Sequence, residues 1–180
     1  MGATDVTTRL ISPDDAEVLA RLESENREYL LAGAPLRSDD YFTVAGQRDA
    51  ITHSLKRYDA GTNLPFVIEA DGAVVGRITL NAIVRGILQS ANVGYWVDRS
   101  VAGRGITSAA LAQMVAHSFG ELGLHRLEAG TTVTNDASAR VLVKAGFEQY
   151  GVAPAYLLIG GRWQDHRLFQ LINEEWSPRD

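Results

Sequence analysis

The sequence predicts a mixed α/β (α+β) fold, in which about four helices flank a mixed sheet of about seven strands, in a single domain over residues 1–180. Three observations predict it. Apolar and β-branched runs of strand length recur along the chain. Apolar residues at helical spacing separate some of these runs, whereas others are joined directly by turns that contain glycine. The predicted order is therefore β-α-α-β-β-β-α-β-α-β-β, a mixed sheet with helices on its faces.

The first strand is predicted over residues 6–11, where VTTRLI alternates between apolar and polar side chains. It ends at the Ser-Pro-Asp-Asp run of residues 12–15. Serine caps helices, proline suits the first helical position, and acidic residues favour the positive end of the helix dipole. We therefore expect a helix from this run to about Leu31, and a second helix over residues 44–58 after a polar connection.

A hairpin is predicted over residues 63–84, because two apolar runs flank Asp71-Gly72, a dipeptide that suits the positive φ angles of a tight turn. Another strand follows over residues 90–98. After a glycine-containing loop, apolar residues at helical spacing predict a helix from Ser108 to Leu122.

The last third of the chain is predicted to add three strands and one helix. A strand over residues 124–134 precedes a short helix from Asn135 to Ala145, which Gly146 closes. Two final strands, over residues 149–159 and 162–172, are joined by Gly160-Gly161.

Composition excludes several classes of function. The chain has a formal net charge of −5 and no cysteine. The lack of cysteine excludes disulfides, cysteine-ligated zinc and thiolate nucleophiles, and an acidic chain lacks the basic stripe of a nucleic-acid-binding protein. MGATDVTTRL does not resemble a signal peptide, and no window approaches the roughly 18 apolar residues of a membrane span. We expect a cytoplasmic monomer or homodimer that binds neither nucleic acid nor membrane.

No metal site is expected either. The histidines show no spacing typical of metal ligands, and we expect each of them to be structural or solvated. They are His53, His117, His125 and His166.

The segment VDRSVAGRGITSAAL (residues 97–111) runs from the end of a strand through a glycine-rich loop into a helix. Such a turn aims several backbone N–H groups at one point, and the helix N-terminus adds partial positive charge. Three interpretations are open: a plain turn, a hinge, or a phosphate cradle with Arg104 at its rim. The loop lacks the third glycine of a dinucleotide fingerprint and the Gly-Lys-Ser/Thr of an ATP-binding P-loop. These absences argue against both nucleotide-binding classes.

A second motif, VTNDASARVLVKAGFE (residues 133–148), places Asn135 at the start of a helix, Ser138 three residues later and Gly146-Phe147 at its end. Together with the glycine loop, this pattern resembles the GCN5-related N-acetyltransferase (GNAT) superfamily. NVGYWVD, RLISPDDAEVL and AYLLIGGRWQDHRLFQLI are similar to its ribosomal-protein-alanine N-acetyltransferase branch. The resemblance covers nearly the whole chain. It implies the GNAT fold, with a mostly antiparallel sheet, and transfer of an acetyl group from acetyl-CoA to an amine.

The resemblance also implies the site residues. In the family, a loop of the form Q/R-x-x-G-x-G/A binds the pyrophosphate of acetyl-CoA, and Ala102 and Thr107 depart from it at its first and last positions. A backbone N–H near Trp96 or Val97 is expected to stabilise the negative charge of the reacting thioester. Ser138 is expected to act as the general acid. The implied cofactor-binding residues are Trp96, Val97, Ala102, Gly103, Arg104, Gly105, Ile106, Thr107 and Asn135.

Simpler roles stand beside these assignments. Thr107 and Asn135 occupy positions where a side chain can cap a helix, and Ser138 can satisfy the backbone of its own helix. The acceptor cleft is predicted to be lined by one residue near the end of the first helix and by three residues of the connection that follows it. These residues are Tyr29, Leu36, Tyr41 and Phe42.

The sequence identifies no general base, because Leu142 and Leu157 stand where related enzymes carry a tyrosine or a glutamate. The acids Glu69, Glu128 and Asp98 are open alternatives that the sequence does not rank. At pH 7 about one α-amino group in ten is neutral, against about one lysine in a few thousand. The missing base therefore favours an α-amine, and the first predicted acceptor is a protein N-terminus, such as that of a ribosomal protein. The alternatives are a polyamine or aminoglycoside acetyltransferase, and a non-catalytic acyl-CoA-binding module.

Overall fold

A computed structural model describes residues 4–178, and these contain seven strands and five α-helices. The strands are β1 (Val6–Leu10), β2 (Leu64–Ala70), β3 (Ala73–Val84), β4 (Ser90–Val97), β5 (Arg126–Thr132), β6 (Glu148–Ile159) and β7 (Arg162–Ile172). The helices are α1 (Ala16–Glu25), α2 (Arg27–Leu30), α3 (Val44–Asp59), α4 (Ile106–Gly120) and α5 (Asp136–Lys144). The predicted order of strands and helices is confirmed, except that the first predicted helix is divided in two.

The strands form one open sheet in the order β1-β2-β3-β4-β5-β7-β6, and every neighbouring pair is antiparallel except β4 and β5. β4 and β5 pair over three positions only, from Ser90 opposite Arg126 to Asn92 opposite Glu128. Beyond these positions, β4 remains paired with β3 up to Val97, the last residue of β4, and β5 remains paired with β7. The C-terminal halves of β4 and β5 therefore leave a gap in the sheet, which we call the β4/β5 cleft.

The helices cover two faces of this sheet. On one face, Leu111 and Met114 of α4 and Leu142 of α5 belong to the larger apolar core, together with buried strand residues. On the opposite face, Leu19 of α1 and Ile51 of α3 pack around Val67 of β2 in a second core. Alternate strand residues point to opposite faces. Val67 of β2 and Val74 of β3 therefore belong to the second core, whereas their neighbours Ile68 and Val75 belong to the larger one. We call these surfaces the α4/α5 face and the α1/α3 face.

The prediction of one helix from residue 12 to Leu31 is wrong, because Asn26 interrupts it between α1 and α2. The Asn26 side chain is buried, and its Nδ2 donates to the Leu22 carbonyl at 2.9 Å. Its Oδ1 accepts a hydrogen bond from the Arg99 N–H, also at 2.9 Å. A side chain that bonds the backbone of its own helix competes with helical hydrogen bonding. The break is therefore tied to a contact with the loop after β4.

The predicted cap at Ser12 and the predicted hairpin turn at Asp71-Gly72 are confirmed. The Ser12 hydroxyl accepts from the Asp14 N–H at 3.2 Å and starts the first helical region. Asp71 and Gly72 have φ angles of 50° and 80°, as the tight hairpin turn requires. The strand predicted over residues 124–134 is shorter, because its pairing with β7 covers only residues 126–132.

No helix within residues 4–178 is long and apolar enough to cross a membrane. In the same part of the chain, no group of three or more His, Asp or Glu side chains is placed to hold a metal ion. Residues 1–3, which begin the segment MGATDVTTRL, lie outside the described residues, as do residues 179–180.

Candidate active site

The β4/β5 cleft contains a cavity of about 150 Å³ that is lined from both faces of the sheet. Asn135 and Ser138 line it on the α4/α5 face, and His166 of β7 and Gly33 of the loop after α2 line it elsewhere. His166 lies three residues from Phe169, which belongs to the core beneath α4 and α5, so His166 points to the α1/α3 face. The cavity therefore connects the two faces, and two molecules can meet in it from opposite sides.

A tyrosine and a serine form the wall of the cleft on the α4/α5 face. The Tyr95 hydroxyl of β4 lies 3.0 Å from Oγ of Ser138 and 3.4 Å from the Ser138 carbonyl oxygen. Burial raises the pKa of Tyr95 to about 12. The phenol therefore stays protonated at neutral pH and can donate a hydrogen bond to Ser138. Sequence reasoning missed Tyr95, because its contact with Ser138 exists only in the folded chain.

Asn135 caps α5, as the simpler interpretation expects. Its Oδ1 accepts a hydrogen bond from the Ser138 N–H at 3.0 Å. Its Nδ2 group has no hydrogen-bond partner among the described residues, and Asn135 lines the cleft. Capping uses only the oxygen, so the amide nitrogen remains available to donate to a carbonyl group in the cleft.

The loop after β4 is anchored before it reaches its glycines. The Asp98 carboxylate accepts hydrogen bonds from the N–H and the hydroxyl of Ser100 at 3.1 and 2.9 Å. Burial raises the pKa of Asp98, but the hydrogen bonds from Ser100 and from Asn26 outweigh burial and hold that pKa below its usual range. The carboxylate is therefore ionised at neutral pH and accepts both hydrogen bonds from Ser100.

Two glycines then turn the chain into α4. Gly103 and Gly105 have φ angles of 77° and 83°, which glycine adopts without the penalty of a Cβ atom. Gly105 is the N-cap of α4 and provides no side-chain cap. Since the first N–H groups of a helix have no partner within the helix, those of Ile106 and Thr107 are open at this end. Partial positive charge adds to these donors, so the turn is able to hold a phosphate group.

The predicted start of α4 at Ser108 is wrong by two residues, because the left-handed Gly105 lets the helix begin at Ile106. Thr107 is then the second residue of the helix and does not cap it. Ala102 is exposed and ends a short 3-10 turn (Arg99–Val101), and the Arg104 side chain is also exposed at the rim of the loop.

The backbone of β4 offers N–H groups to the cleft at alternate residues. The Asp98 N–H donates to the Val75 carbonyl at 2.7 Å, just beyond the paired end of β3 and β4. In an antiparallel ladder every second N–H points to the same neighbour. The Trp96 N–H therefore points to β3, whereas those of Val97 and Tyr95 point to the cleft. Of the two groups predicted to stabilise the thioester, only Val97 has this orientation, and the Trp96 side chain packs on the α1/α3 core.

This arrangement of strand, loop and helix occurs in a known protein family. The family described as Acetyltransferase (GNAT) domain matches residues 5–148. The chain belongs to the GNAT acetyltransferase family. A strand-loop-helix with open N–H groups beside a gap in the sheet is thus part of a GNAT domain.

Individual relatives of this GNAT enzyme are also N-acetyltransferases by name. Over 172 residues, 94% of this chain and 95% of the relative, it is 38% identical to the probable N-acetyltransferase YjcK of Bacillus subtilis (strain 168). It is 27% identical over 175 residues to the [ribosomal protein uS5]-alanine N-acetyltransferase of Escherichia coli (strain K12), covering 96% of this chain and 90% of that one. The structure of Mycobacterium smegmatis RimJ in complex with CoA-disulfide superposes with a TM-score of 0.91 at 35% identity, covering 94% and 83% of the two chains.

The protein is therefore an acetyl-CoA-dependent N-acetyltransferase of the GNAT type. Enzymatic relatives favour this conclusion over the non-catalytic acyl-CoA-binding module that the sequence left open.

The residues predicted to line the acceptor cleft of this GNAT enzyme do not line the 150 Å³ cavity. Tyr41 instead donates a hydrogen bond from its hydroxyl to Glu23 of α1 at 3.2 Å. Burial raises the pKa of Glu23, and burial together with the nearby Glu23 raises the pKa of Tyr41. The connection between α2 and α3 still reaches the cleft, but through Gly33, which has no side chain. Tyr29, Leu36 and Phe42 are likewise absent from the cavity wall.

The cleft of this GNAT enzyme also contains a titratable side chain that the sequence did not single out. Each histidine is expected to be structural or solvated, and His166 is 3% exposed, which agrees with a structural role; it also lines the cavity. Leu142 is buried and Leu157 is half exposed, and neither can accept a proton. The position of His166 on β7 is the signal that points to it, because β7 pairs with β5, the strand that borders the gap.

Proposed function

We propose that this enzyme acetylates the N-terminal α-amine of a protein, with a ribosomal protein as the first candidate acceptor. The observation that carries the proposal is the cleft lined from both faces of the sheet, which brings a thioester and an amine to one point. The relative that acts on ribosomal protein uS5 supports the acceptor class. Such an acceptor implies a cytoplasmic enzyme.

Acetyl-CoA enters this proposed site on the α4/α5 face, with its pyrophosphate at the N-terminus of α4. Backbone N–H groups of the loop and of the first turn hold the phosphates, and Arg104 adds a charge at the rim. Ala102 brings no charge of its own, so binding depends on the open N–H groups. The residues proposed for this role are Ala102, Gly103, Arg104, Gly105, Ile106 and Thr107.

The amide arm of the cofactor then lies along the open edge of β4. The Val97 N–H faces this edge, and Asn135 lines the cleft from α5. An extended arm with amide groups pairs with a free strand edge in the way that another strand would. This placement puts the thioester in the gap, beside Tyr95 and Ser138.

Acetyl transfer proceeds by direct attack of the amine on the bound thioester. Holding both reactants in one cleft supplies much of the rate. An N–H group of the β4 edge, from Tyr95 or Val97, stabilises the negative charge that develops on the carbonyl oxygen. The Ser138 hydroxyl donates a proton to the leaving thiolate, and Tyr95 holds that hydroxyl in position at 3.0 Å.

The amine reaches the thioester from the α1/α3 face. Gly94 and Gly130 lie on this face, since their neighbours Val93 and Ala129 belong to the α4/α5 core. Two residues without side chains flank the gap and leave a narrow opening for the end of a chain. An α-amino group, with a pKa near 8, is also far more often neutral at pH 7 than a lysine.

A turnover screen tests the proposal. The enzyme is mixed with acetyl-CoA and one acceptor at a time, and thiol release is followed. The panel contains peptides with the N-terminal sequences of ribosomal proteins, the same peptides with a blocked N-terminus and an internal lysine, spermidine, and an aminoglycoside. We expect turnover with the free peptides and none with the blocked ones. Faster turnover of spermidine or the aminoglycoside would establish the small-amine alternative instead.

A further inference from the structure

His166 occupies the one position on β7 where a strand residue faces the cleft from the α1/α3 side. It pairs with Thr132 of β5 and with Ala153 of β6, and it is 3% exposed. Gly130 of β5 lies beside it: a Cβ atom placed on Gly130 would be 3.6 Å from His166 Cδ2. The edge of the imidazole that carries Cδ2 and Nε2 is therefore next to the gap.

The tautomer of His166 follows from its hydrogen bond. Its Nδ1 lies 2.9 Å from the backbone carbonyl oxygen of Gln164. A carbonyl oxygen only accepts hydrogen bonds, so Nδ1 carries the proton and the neutral ring has an unprotonated Nε2. Within residues 4–178, Nε2 makes no hydrogen bond. It is also not one of the fully buried polar atoms that lack a partner there. Its lone pair is thus open to the cavity that His166 lines.

The groups around the imidazole do not compete for this lone pair. The Tyr156 ring of β6 is tilted against it, with the ring centroids 5.7 Å apart. The adjacent charged residues on β7 are occupied elsewhere: Asp165 accepts from the Ala155 N–H at 2.8 Å, and Arg167 pairs with Asp136 on the opposite face at 2.9 Å. From β5 and the loop after α2, the cleft near His166 is lined by Gly130, Thr132 and Gly33, none of which is charged.

We propose that His166 is the general base that accepts the proton of the attacking amine. The inference rests on the proposed use of the β4/β5 cleft for acetyl transfer. Ser138 and His166 point to opposite faces of the sheet at the same cavity, so the proton donor for sulfur and the proton acceptor for nitrogen are on opposite sides of the thioester.

The amine nitrogen forms a bond to the thioester carbonyl carbon, and the C–S bond breaks. Before the attack, Nε2 of His166 takes a proton from the α-ammonium group and returns it to solvent. On attack the nitrogen releases its second proton to solvent, the sulfur takes the proton of the Ser138 hydroxyl, and Ser138 regains a proton from solvent. An imidazole is a weak base that suits an α-ammonium group, with a pKa near 8, better than a lysine ammonium, with a pKa near 10.4. The assignment therefore favours the α-amine as acceptor class.

The test uses His166→Asn, because an asparagine N–H can replace Nδ1–H toward the Gln164 carbonyl while Nε2 is lost. His53→Gln, at an exposed position on α3, is the control. With saturating acetyl-CoA and an accepted peptide at pH 7, we expect kcat of His166→Asn to fall about 100-fold, and kcat of the control to stay unchanged. Calorimetry is expected to show unchanged acetyl-CoA binding in both variants.

A pH series separates proton transfer from positioning. If His166 takes the proton, the deficit of His166→Asn shrinks as the pH rises above about 8, because the α-amine then arrives neutral. A deficit that is the same at every pH would show that His166 only positions the acceptor, and would overturn the proposal.

The acceptor class and the base assignment fail separately. If the wild-type enzyme ignores peptides but acetylates spermidine, the proposed acceptor is wrong, and the His166→Asn comparison is made with spermidine. An unchanged kcat with whichever amine is accepted would overturn the base assignment and leave the acceptor class standing.

Discussion

At the scale of single residues, the proposed chemistry depends on a hydroxyl pair from two different elements. The N-x-x-S pattern predicts Ser138 in the first turn of a helix, and the structure confirms that position. The same pattern says nothing of Tyr95, which is 43 residues away in sequence and 3.0 Å away in space. The role proposed for His166 is absent from the local motifs for a similar reason, because the surroundings of His166 come from β5, β6 and the loop after α2. Local motifs predict the position of a residue in its helix or strand, whereas tertiary packing determines which side chains it contacts.

The first prediction concerns Ser138→Ala. If Ser138 protonates the leaving thiolate, kcat falls by about 100-fold while the dissociation constant of acetyl-CoA stays nearly the same. Steady-state kinetics and calorimetry measure the two quantities. Ser54→Ala is the matched control, since Ser54 also sits in a helix and donates to a carbonyl at 2.9 Å, but on α3. An unchanged kcat for Ser138→Ala would remove Ser138 from the mechanism.

The second prediction follows from the raised pKa of Tyr95. An unfolded tyrosine ionises near pH 10, whereas burial holds the pKa of Tyr95 at about 12. Between these values the unfolded state releases the proton and the folded state keeps it, so the stability present below pH 10 is lost as the pH rises toward 12. Thermal melts should show a steeper fall in Tm for the wild-type protein than for Tyr95→Phe in this range. Parallel falls would contradict the burial of a neutral phenol.

At the scale of elements, the break between α1 and α2 connects two parts of the site. Helix signals at residues 12–15 predict where the first helical region begins, and the structure confirms it. They cannot predict the break, because Asn26 is held by the Arg99 N–H from a distant loop. The loop that Arg99 begins leads directly to Gly103 and Gly105. The end of α1 thus supports the turn proposed to hold the cofactor phosphates.

The third prediction is that Asn26→Ala weakens both the fold and the cofactor site. The change removes the hydrogen bonds that the Asn26 side chain makes and leaves the Arg99 N–H without its partner, which costs about 1–3 kcal/mol of unfolding free energy. Acetyl-CoA binding weakens as well, because the loop loses an anchor. Urea denaturation and calorimetry measure the two effects, with the exposed Ser24→Ala of α1 as control. A destabilised variant with unaltered cofactor affinity would disconnect Asn26 from the loop.

At the scale of the whole molecule, two of the strand pairings follow from local signals. The hairpin turn at Asp71-Gly72 and the final turn at Gly160-Gly161 are readable in the sequence, and the strands they join pair as predicted. How far β4 and β5 pair is not readable, because each strand is held by a different neighbour from elsewhere in the chain. Because β4 stays paired with β3 and β5 stays paired with β7, the two strands separate and leave the cleft between them. The proposed reactive centre therefore depends on the topology of the sheet as much as on any motif.

The central claim is that the cofactor and the acceptor meet inside the β4/β5 cleft from opposite faces of the sheet. The most direct measurement is a crystal structure of the enzyme with a conjugate of CoA and an N-terminal peptide. We predict that its sulfur lies within hydrogen-bond distance, about 3.5 Å, of Oγ of Ser138, and that its peptide leaves past His166 on the α1/α3 face. A conjugate that lies entirely on one face of the sheet, or outside the cleft, would contradict the claim.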